Sequence, residues 1–123
     1  MAKEKTLNAA LVEEFRRRLR EMRGHLHRTA ATTDEELRTL EAHQPGAPAE
    51  DVTRESVTTL LSRLSGQEKR ELDEVYAAQA RLETGLFGIC EGCGRPIPLA
   101  RLRALPTART CMACQAREEE RAR

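Results

Sequence analysis

The chain has 123 residues, of which 33% are charged and only three are aromatic, and it contains no Trp. This length fits one domain, or one domain with an extension, and the scarcity of aromatic side chains excludes a broad aromatic-filled core. No apolar run reaches 18 residues, and the start MAKEKTLN leads into no signal-type apolar stretch. We therefore expect a soluble, cytoplasmic protein without a membrane partner. The formal net charge of +1 argues against a generally basic nucleic-acid-binding surface.

Before residue 87, apolar residues recur every three or four positions in two series, as on one face of a helix. The two series are Leu7, Leu11, Phe15, Leu19, Met22, Leu26, Leu37 and Leu40, and then Val57, Leu61, Leu64, Leu72, Val75, Leu82 and Leu86. Between them, HQPGAPA at 43–49 stops one helix and favours a turn. The pattern predicts a mainly α fold, with two helices of about 35 residues, each about 50 Å long.

The two predicted helices would pair as a long antiparallel coiled-coil hairpin over residues 1–86, with its tip near residues 44–51. The alternative for this segment is a helical bundle assembled with a second copy of the chain; we expect a monomer. Gly24 and Gly66 interrupt the two stripes, and they would lie opposite each other if the turn centres near residues 45–47. They either allow close helix approach, mark a shared bend, or are unrelated. Ser65 with Glu68 forms a capping-box pattern that restarts the helix.

Charge is segregated along the predicted hairpin. Residues 15–31 hold six Arg against one Glu, a net charge of +5, and residues 32–55 hold seven acids against two Arg, a net charge of −5. The hairpin would gather these acids around its tip, where a narrow basic or metal-containing site could receive them. The alternative is that the acids are solvated, with Asp34, Glu35 and Glu36 opening a helical turn.

The four cysteines lie in one stretch as C-x2-C, 17 residues and C-x2-C: Cys90, Cys93, Cys111 and Cys114. This spacing predicts one zinc ion held by four thiolates. Gly92 and Gly94 can adopt positive φ and let backbone amides turn toward the sulfurs. Four thiolates close the tetrahedron, so the zinc is structural rather than catalytic, and metal binding would bring the net charge to about −1. Two disulfides, or one redox C-x2-C pair, are the alternatives.

The segments FGICEGCGRPI at 87–97 and RLRALPTARTCMACQ at 101–115 strongly resemble the C4 finger of the bacterial DksA/TraR family. The family pattern is F/Y-G-x-C-x-x-C-G-x-x-I and then R-L-x-A-x-P-x-A-x-x-C-x-x-C, and it is matched at nearly every fixed position. The finger would occupy residues 87–123 and end in a short helix from Gln115 to Arg123. The preceding hairpin extends the likeness over most of the chain.

This resemblance implies a transcription regulator that binds RNA polymerase directly and does not contact promoter DNA. In the family, the finger and base dock at the rim of the secondary channel, and the coiled-coil tip approaches the catalytic centre and modulates initiation. Glu50 and Asp51 would act at the tip. The candidate polymerase contacts near the finger are Arg95, Arg101, Arg103 and Arg109.

Two departures from the family pattern bear on this function. Family members closest to DksA carry Asp-x-x-Asp-x-Ala at the tip, where this chain has Ala47, Glu50 and Val52. Positions that are basic in members responding to the alarmone ppGpp are Glu74, Leu105 and Gln115. We therefore expect no DksA-like ppGpp site.

Three other functions remain as alternatives. The chain could be a zinc-stapled coiled-coil interaction module with a non-polymerase partner, or a redox sensor that releases zinc. It could also be a nucleic-acid-binding zinc finger, since residues 90–123 hold seven Arg and four Glu, although no aromatic follows Phe87 for base stacking. No pattern indicates an enzyme, and His25, His27 and His43 have neither nucleophile nor metal spacing, so we expect surface or seam positions for them.

Overall fold

The computed structural model describes residues 7–122, and this part of the chain is mainly helical. Its helices are α1 (Ala9–Ala30), α2 (Asp34–Ala42), α3 (Asp51–Leu61), α4 (Gly66–Thr84), α5 (Leu99–Ala104) and α6 (Met112–Arg121). Within the described residues, none of them is long and apolar enough to cross a membrane. The mainly α prediction is confirmed. Residues 1–6 of the predicted hairpin and Arg123 of the predicted last helix lie outside the described residues.

Each of the two long predicted helices is divided into two shorter ones. The first break lies between α1 and α2. Thr33 is the N-cap residue that starts α2, because its side-chain oxygen accepts a hydrogen bond from the amide of Glu36 at 3.1 Å. Ser65 ends the second break in the predicted capping box: the Glu68 amide donates to Ser65 Oγ at 3.1 Å, and the Ser65 amide donates to Glu68 Oε1 at 2.9 Å. The predicted length of about 35 residues per helix was therefore too long.

The predicted turn lies between α2 and α3, which pack against each other. Gly46 has a φ of 83°, a conformation that L side chains rarely adopt, and the amide of Ala47 bonds the carbonyl of Gln44 at 3.1 Å. The turn therefore follows from the glycine and prolines read from the sequence.

The chain divides into two compact units. One contains residues up to Leu19 together with those from Ala77 onward, and the other is Arg20–Tyr76. In the first unit, the buried Phe15 ring lies 5.2 Å from the Phe87 ring, centroid to centroid. This packing places the start of α1 with the finger, and the domain bounds 1–86 and 87–123 stay a prediction from the sequence. Leu86, predicted on the second apolar stripe, is 42% exposed because α4 ends at Thr84.

The Arg20–Tyr76 unit has its own apolar core. Its buried members come from all four of its helical segments and the turn that follows α3; they are Leu26, Ala30, Leu40, Val57, Leu60, Leu64 and Leu72. The two apolar series of the sequence therefore meet, as predicted. Gly24 and Gly66 do not provide close helix approach: a Cβ on Gly24 would meet the Arg28 guanidinium at 3.1 Å, and one on Gly66 would meet that of Arg70 at 3.3 Å.

Glu36 joins three segments of this unit. Its Oε1 accepts hydrogen bonds from the amide and hydroxyl of Thr32, at 2.9 and 2.7 Å, and its two oxygens accept from the guanidinium of Arg63 at 2.9 and 3.0 Å. Arg63 also donates to the carbonyl of Ala30, the last residue of α1, at a distance of 3.1 Å. Hydrogen bonds from Arg63 and from Thr32 lower the pKa of Glu36 to about 2.

His27 is buried, whereas His25 is exposed. Its Nε2 lies 2.7 Å from Tyr76 Oη, and its Nδ1 lies 3.2 Å from Glu41 Oε1. Burial lowers the pKa of His27, against the opposing effect of the Glu41 carboxylate, so the ring is neutral at pH 7. His27 is thus a seam residue, as expected, and its polar contacts are all inside the unit.

Replacing Glu36 by Gln should destabilise the Arg20–Tyr76 unit at neutral pH, because the ionised carboxylate and one bidentate contact are lost. Folding lowers the pKa of Glu36 from 4.5 to about 2. The ionised carboxylate therefore contributes fully to the free energy of unfolding above pH 4.5, and this contribution disappears as the pH drops toward 2. The difference in urea midpoint between wild type and Glu36→Gln, measured by circular dichroism, should shrink over that range.

Glu35→Gln provides the matched control, because Glu35 neighbours Glu36 in the first turn of α2 and is exposed. A difference that stays constant from pH 7 to pH 3, or one that Glu35→Gln reproduces, would contradict this account of the Glu36 contacts.

Candidate metal centre

The first cysteine pair lies in a tight turn after α4. The amide of Cys90 donates to the carbonyl of Arg95 at 2.8 Å, and the amide of Gly94 donates back to the carbonyl of Cys90 at 2.9 Å. Gly94 has a φ of 73°, as its predicted role requires. An isolated antiparallel bridge between Ile89 and Pro96 closes the base of this turn.

The second cysteine pair lies at the start of α6. Cys111 is the N-cap residue and Cys114 is in the first turn, where the partial positive charge of a helix N-terminus favours thiolates. This helix begins at Met112, earlier than the predicted Gln115, so it carries Cys114 instead of following it. The Glu91 amide joins the two pairs by donating to the carbonyl of Arg109 at 2.8 Å.

The fold brings the four cysteine sulfurs together. All four Sγ atoms lie within 4.8 Å of one another, and those of Cys93 and Cys111 are 4.0 Å apart. A Zn²⁺ ion with bonds of about 2.3 Å requires sulfur separations of about 3.8 Å, so the cluster fits one tetrahedral ion. None of the four forms a disulfide. The C4 cluster is thus that of a zinc finger and fits one structural zinc, as predicted, with no position left open for a catalytic water.

Backbone amides prepare the Cys90 sulfur for a metal. The amides of Gly92 and Cys111 each donate to Cys90 Sγ at 3.3 Å. Burial raises the pKa of Cys90, but hydrogen bonds from the amides of Cys111, Cys93 and Gly92 outweigh it and lower this pKa to about 6. Burial, together with the neighbouring sulfurs, raises the pKa of Cys114 to about 12. Zn²⁺ reverses this preference, because a metal-bound thiol is deprotonated.

Gly92 is required for a different reason from the predicted one. The φ of Gly92 is not positive. A Cβ at this position would lie 2.9 Å from Cys114 Sγ and 3.0 Å from Cys114 Cβ. A side chain here would push a metal ligand away, so the constraint is close approach and not backbone conformation.

The four arginines predicted to contact a partner differ in their surroundings. Arg101 donates through Nε to the carbonyl of Thr110 at 2.9 Å and holds the segment before Cys111. Arg103 pairs with Glu14 at 3.2 Å, and Arg109 with Glu91 at 3.7 Å; their side chains are 52% and 40% exposed. Arg95 is exposed beside the first cysteine pair.

The predicted tip residues lie at the start of α3, in the Arg20–Tyr76 unit. Glu50 is the N-cap, but its side chain makes no capping hydrogen bond. Asp51 lies 3.7 Å from the Arg54 guanidinium and its side chain is 92% exposed. Two other acids of residues 32–55 contact basic side chains of the same unit. Glu36 pairs with Arg63, and Glu41 lies beside Arg23 and His27. The surface charge near the turn is therefore lower than the sequence count suggested.

Replacing Gly92 by Ala should lower zinc affinity by about tenfold or more, because the added methyl group would displace Cys114 from its ligand position. Competition with a chromophoric chelator would measure this affinity. Gly94→Ala is the control: it costs about 1–2 kcal/mol in backbone conformation but meets no atom within 4 Å. Equal zinc affinities for the two variants would contradict the steric argument.

The comparisons with known proteins agree with this cluster. Residues 85–120 match the prokaryotic dksA/traR C4-type zinc finger. The RNA polymerase-binding transcription factor DksA of Caulobacter vibrioides is 30% identical over 117 residues, which cover 95% of this chain and 82% of that protein. Transcription factor DksA2 from Pseudomonas aeruginosa has a similar structure, with a TM-score of 0.63 and 32% identity over 94% of this chain and 88% of that one.

A shorter match involves the uncharacterized protein YlyA of Bacillus subtilis, which is 42% identical over 64 residues. These residues cover 52% of this chain and 48% of YlyA, so the chain spans about half the length of that relative. The likeness to the Caulobacter protein extends far beyond the finger, and it shows, together with the four-cysteine cluster, that the chain belongs to the DksA/TraR family.

Proposed function

We propose that the chain is a non-enzymatic bacterial transcription regulator that binds RNA polymerase through its secondary channel and modulates initiation without contacting promoter DNA. The observation that carries this proposal is the likeness, over 95% of the chain, to a protein named as an RNA polymerase-binding transcription factor. Binding to RNA polymerase would place the protein in the cytoplasm, where we expect it to act as a monomer.

Glu50 and Asp51 are the groups that would act at the catalytic centre. Both lie where α3 begins, next to the turn, and both are exposed. Arg54 donates to the carbonyl of Ala49 at 2.7 Å and so fixes the backbone that precedes them. Val52, in place of the family's Ala, is 73% exposed beside these carboxylates. The turn thus presents two carboxylates and one apolar side chain to a partner.

Arg95, Arg103 and Arg109 are the stronger candidates for contacts with polymerase near the finger. Each has an exposed or half-buried side chain that could pair with an acidic partner surface. Arg101 is committed to the carbonyl of Thr110 and the sulfur of Met112, so its replacement would act mainly by loosening the finger.

We propose further that ppGpp does not act through this chain. Glu74, Leu105 and Gln115 supply no positive charge for a phosphate. The Gln115 side chain is also engaged within the finger, since its Oε1 accepts from Thr110 Oγ1 at 3.1 Å and its Nε2 donates to Glu119 Oε1 at 3.2 Å.

The zinc-loaded chain should form a 1:1 complex with bacterial core RNA polymerase at micromolar concentration, measurable by fluorescence anisotropy of a labelled chain. A factor known to occupy the secondary channel should displace it, because both would require the same entrance. Absence of binding at micromolar concentration would overturn the proposal and favour a zinc-stapled module with a different partner. Binding of the chain that the channel-occupying factor does not displace would contradict the secondary-channel location, but not binding to polymerase.

Replacing Glu50 by Gln together with Asp51 by Asn should leave polymerase affinity within about twofold while changing transcription from a ribosomal-type promoter in vitro. The physical reason is that carboxylates directed at a metal-containing centre would act on the reaction and not on docking. The matched control is Asp34→Asn with Glu35→Gln, which removes two acids from the first turn of α2.

Transcription output that is unchanged by the tip substitutions would remove Glu50 and Asp51 from the mechanism. An equal change with the α2 control would assign the effect to overall charge. Adding ppGpp should not alter the effect of the wild-type chain on transcription.

A further inference from the structure

Arg117 contacts the metal cluster although it is not a ligand. It follows Cys114 by three residues on α6, a spacing that places both side chains on one face of the helix. Its Nη2 lies 3.1 Å from Cys114 Sγ. Cys114 is 4% exposed, whereas Arg117 is at the surface. An exposed guanidinium therefore contacts a sulfur that is itself buried.

The electrostatics of the cluster explain why this contact matters. Four thiolates and one Zn²⁺ carry a net charge of −2, held partly away from water. The Cys90 sulfur accepts hydrogen bonds from backbone amides, among them those of Gly92 and Cys111. At Cys114 the Arg117 side chain donates, and an Arg guanidinium is not deprotonated in proteins. A charge-assisted hydrogen bond of this kind is about twice as strong as a neutral one.

We propose that Arg117 is a positioning residue of the metal centre, which holds the Cys114 thiolate in its ligand geometry, offsets the charge of the cluster, and slows the loss of zinc. When Arg117 is absent, Cys114 is more open to a chelator or a proton, and its departure would release the start of α6. The proposal concerns the cluster alone and does not depend on RNA polymerase binding.

Zinc release from the full-length, zinc-loaded chain tests this role, with excess EDTA as the challenge and a chromophoric zinc indicator as the readout. Arg117→Gln should accelerate release by about tenfold, within the range for residues that support metal ligands. Arg117→Lys, which keeps the charge but not the planar fork, should lie between that variant and wild type.

Arg121→Gln is the matched control. It removes the same charge from the last turn of the same helix, seven residues beyond Cys114, which is about 10 Å along the helix axis. It should release zinc at a rate within about twofold of wild type, since positions away from a ligand have small effects. Helix content by circular dichroism shows whether each zinc-loaded variant is folded.

The cobalt-substituted chain gives a second readout that a general loss of stability would not change. Loss of the guanidinium raises the energy of the thiolate electrons, so the thiolate-to-cobalt charge-transfer band should move to longer wavelength in Arg117→Gln and not in Arg121→Gln. If the two variants release zinc equally fast and share an unshifted band, the proposal is wrong. If Arg117→Gln does not bind zinc, the test uses Arg117→Lys in its place. Zinc release from Arg117→Lys as slow as that from wild type would then overturn the proposal.

Discussion

Four sulfur atoms held within 4.8 Å of one another repel each other once they are ionised, and much of the chain from Gly85 onward serves to make that cluster possible. The turn at 90–94 delivers two sulfurs, and the N-terminus of α6 delivers the other two. Amides of Gly92 and Cys111 and the guanidinium of Arg117 face these sulfurs as donors. Because a short chain segment with few aromatics buries little surface, a metal ion supplies stability that a large apolar core would otherwise provide.

The Arg20–Tyr76 unit is stabilised by different means. Its core consists of aliphatic residues at helical spacing, closed around Leu40 and Leu72, which are almost fully buried. Polar groups then define where two of its helices begin, since Thr33 caps α2 and Ser65 caps α4. Glu36 links Thr32, which follows α1, to Arg63, which follows α3. Acids counted as free surface charge in the sequence are thereby used in internal ion pairs. The exposed Glu50 and Asp51 remain beside the turn, which is where the proposed function needs them.

The sequence predicted the features that depend on local spacing. The two C-x2-C pairs identified the metal cluster, the stripes identified the core face, and the Ser65–Glu68 pattern identified a helix start. A helix start at Asp34 was only the alternative interpretation of Asp34, Glu35 and Glu36, because Leu37 and Leu40 continue the apolar period of the first stripe; the structure has α2 begin there. The role of Gly92 could not be assigned correctly from the sequence, since its close approach to Cys114 depends on three-dimensional packing. Arg117 does have a signal in the sequence, because it follows Cys114 by three residues, a spacing that places both on one face of a helix.

Hydrogen exchange of the full chain with and without zinc tests most directly the claim that the thiolate cluster organises the finger while the Arg20–Tyr76 unit has its own core. Removal of zinc should abolish protection of the amides of Cys90, Glu91, Gly94 and Cys111, which are hydrogen-bonded around the cluster. Amides in the helices around Leu40, Leu60 and Leu72 should keep theirs. Loss of protection in both units together, or in neither, would contradict the account.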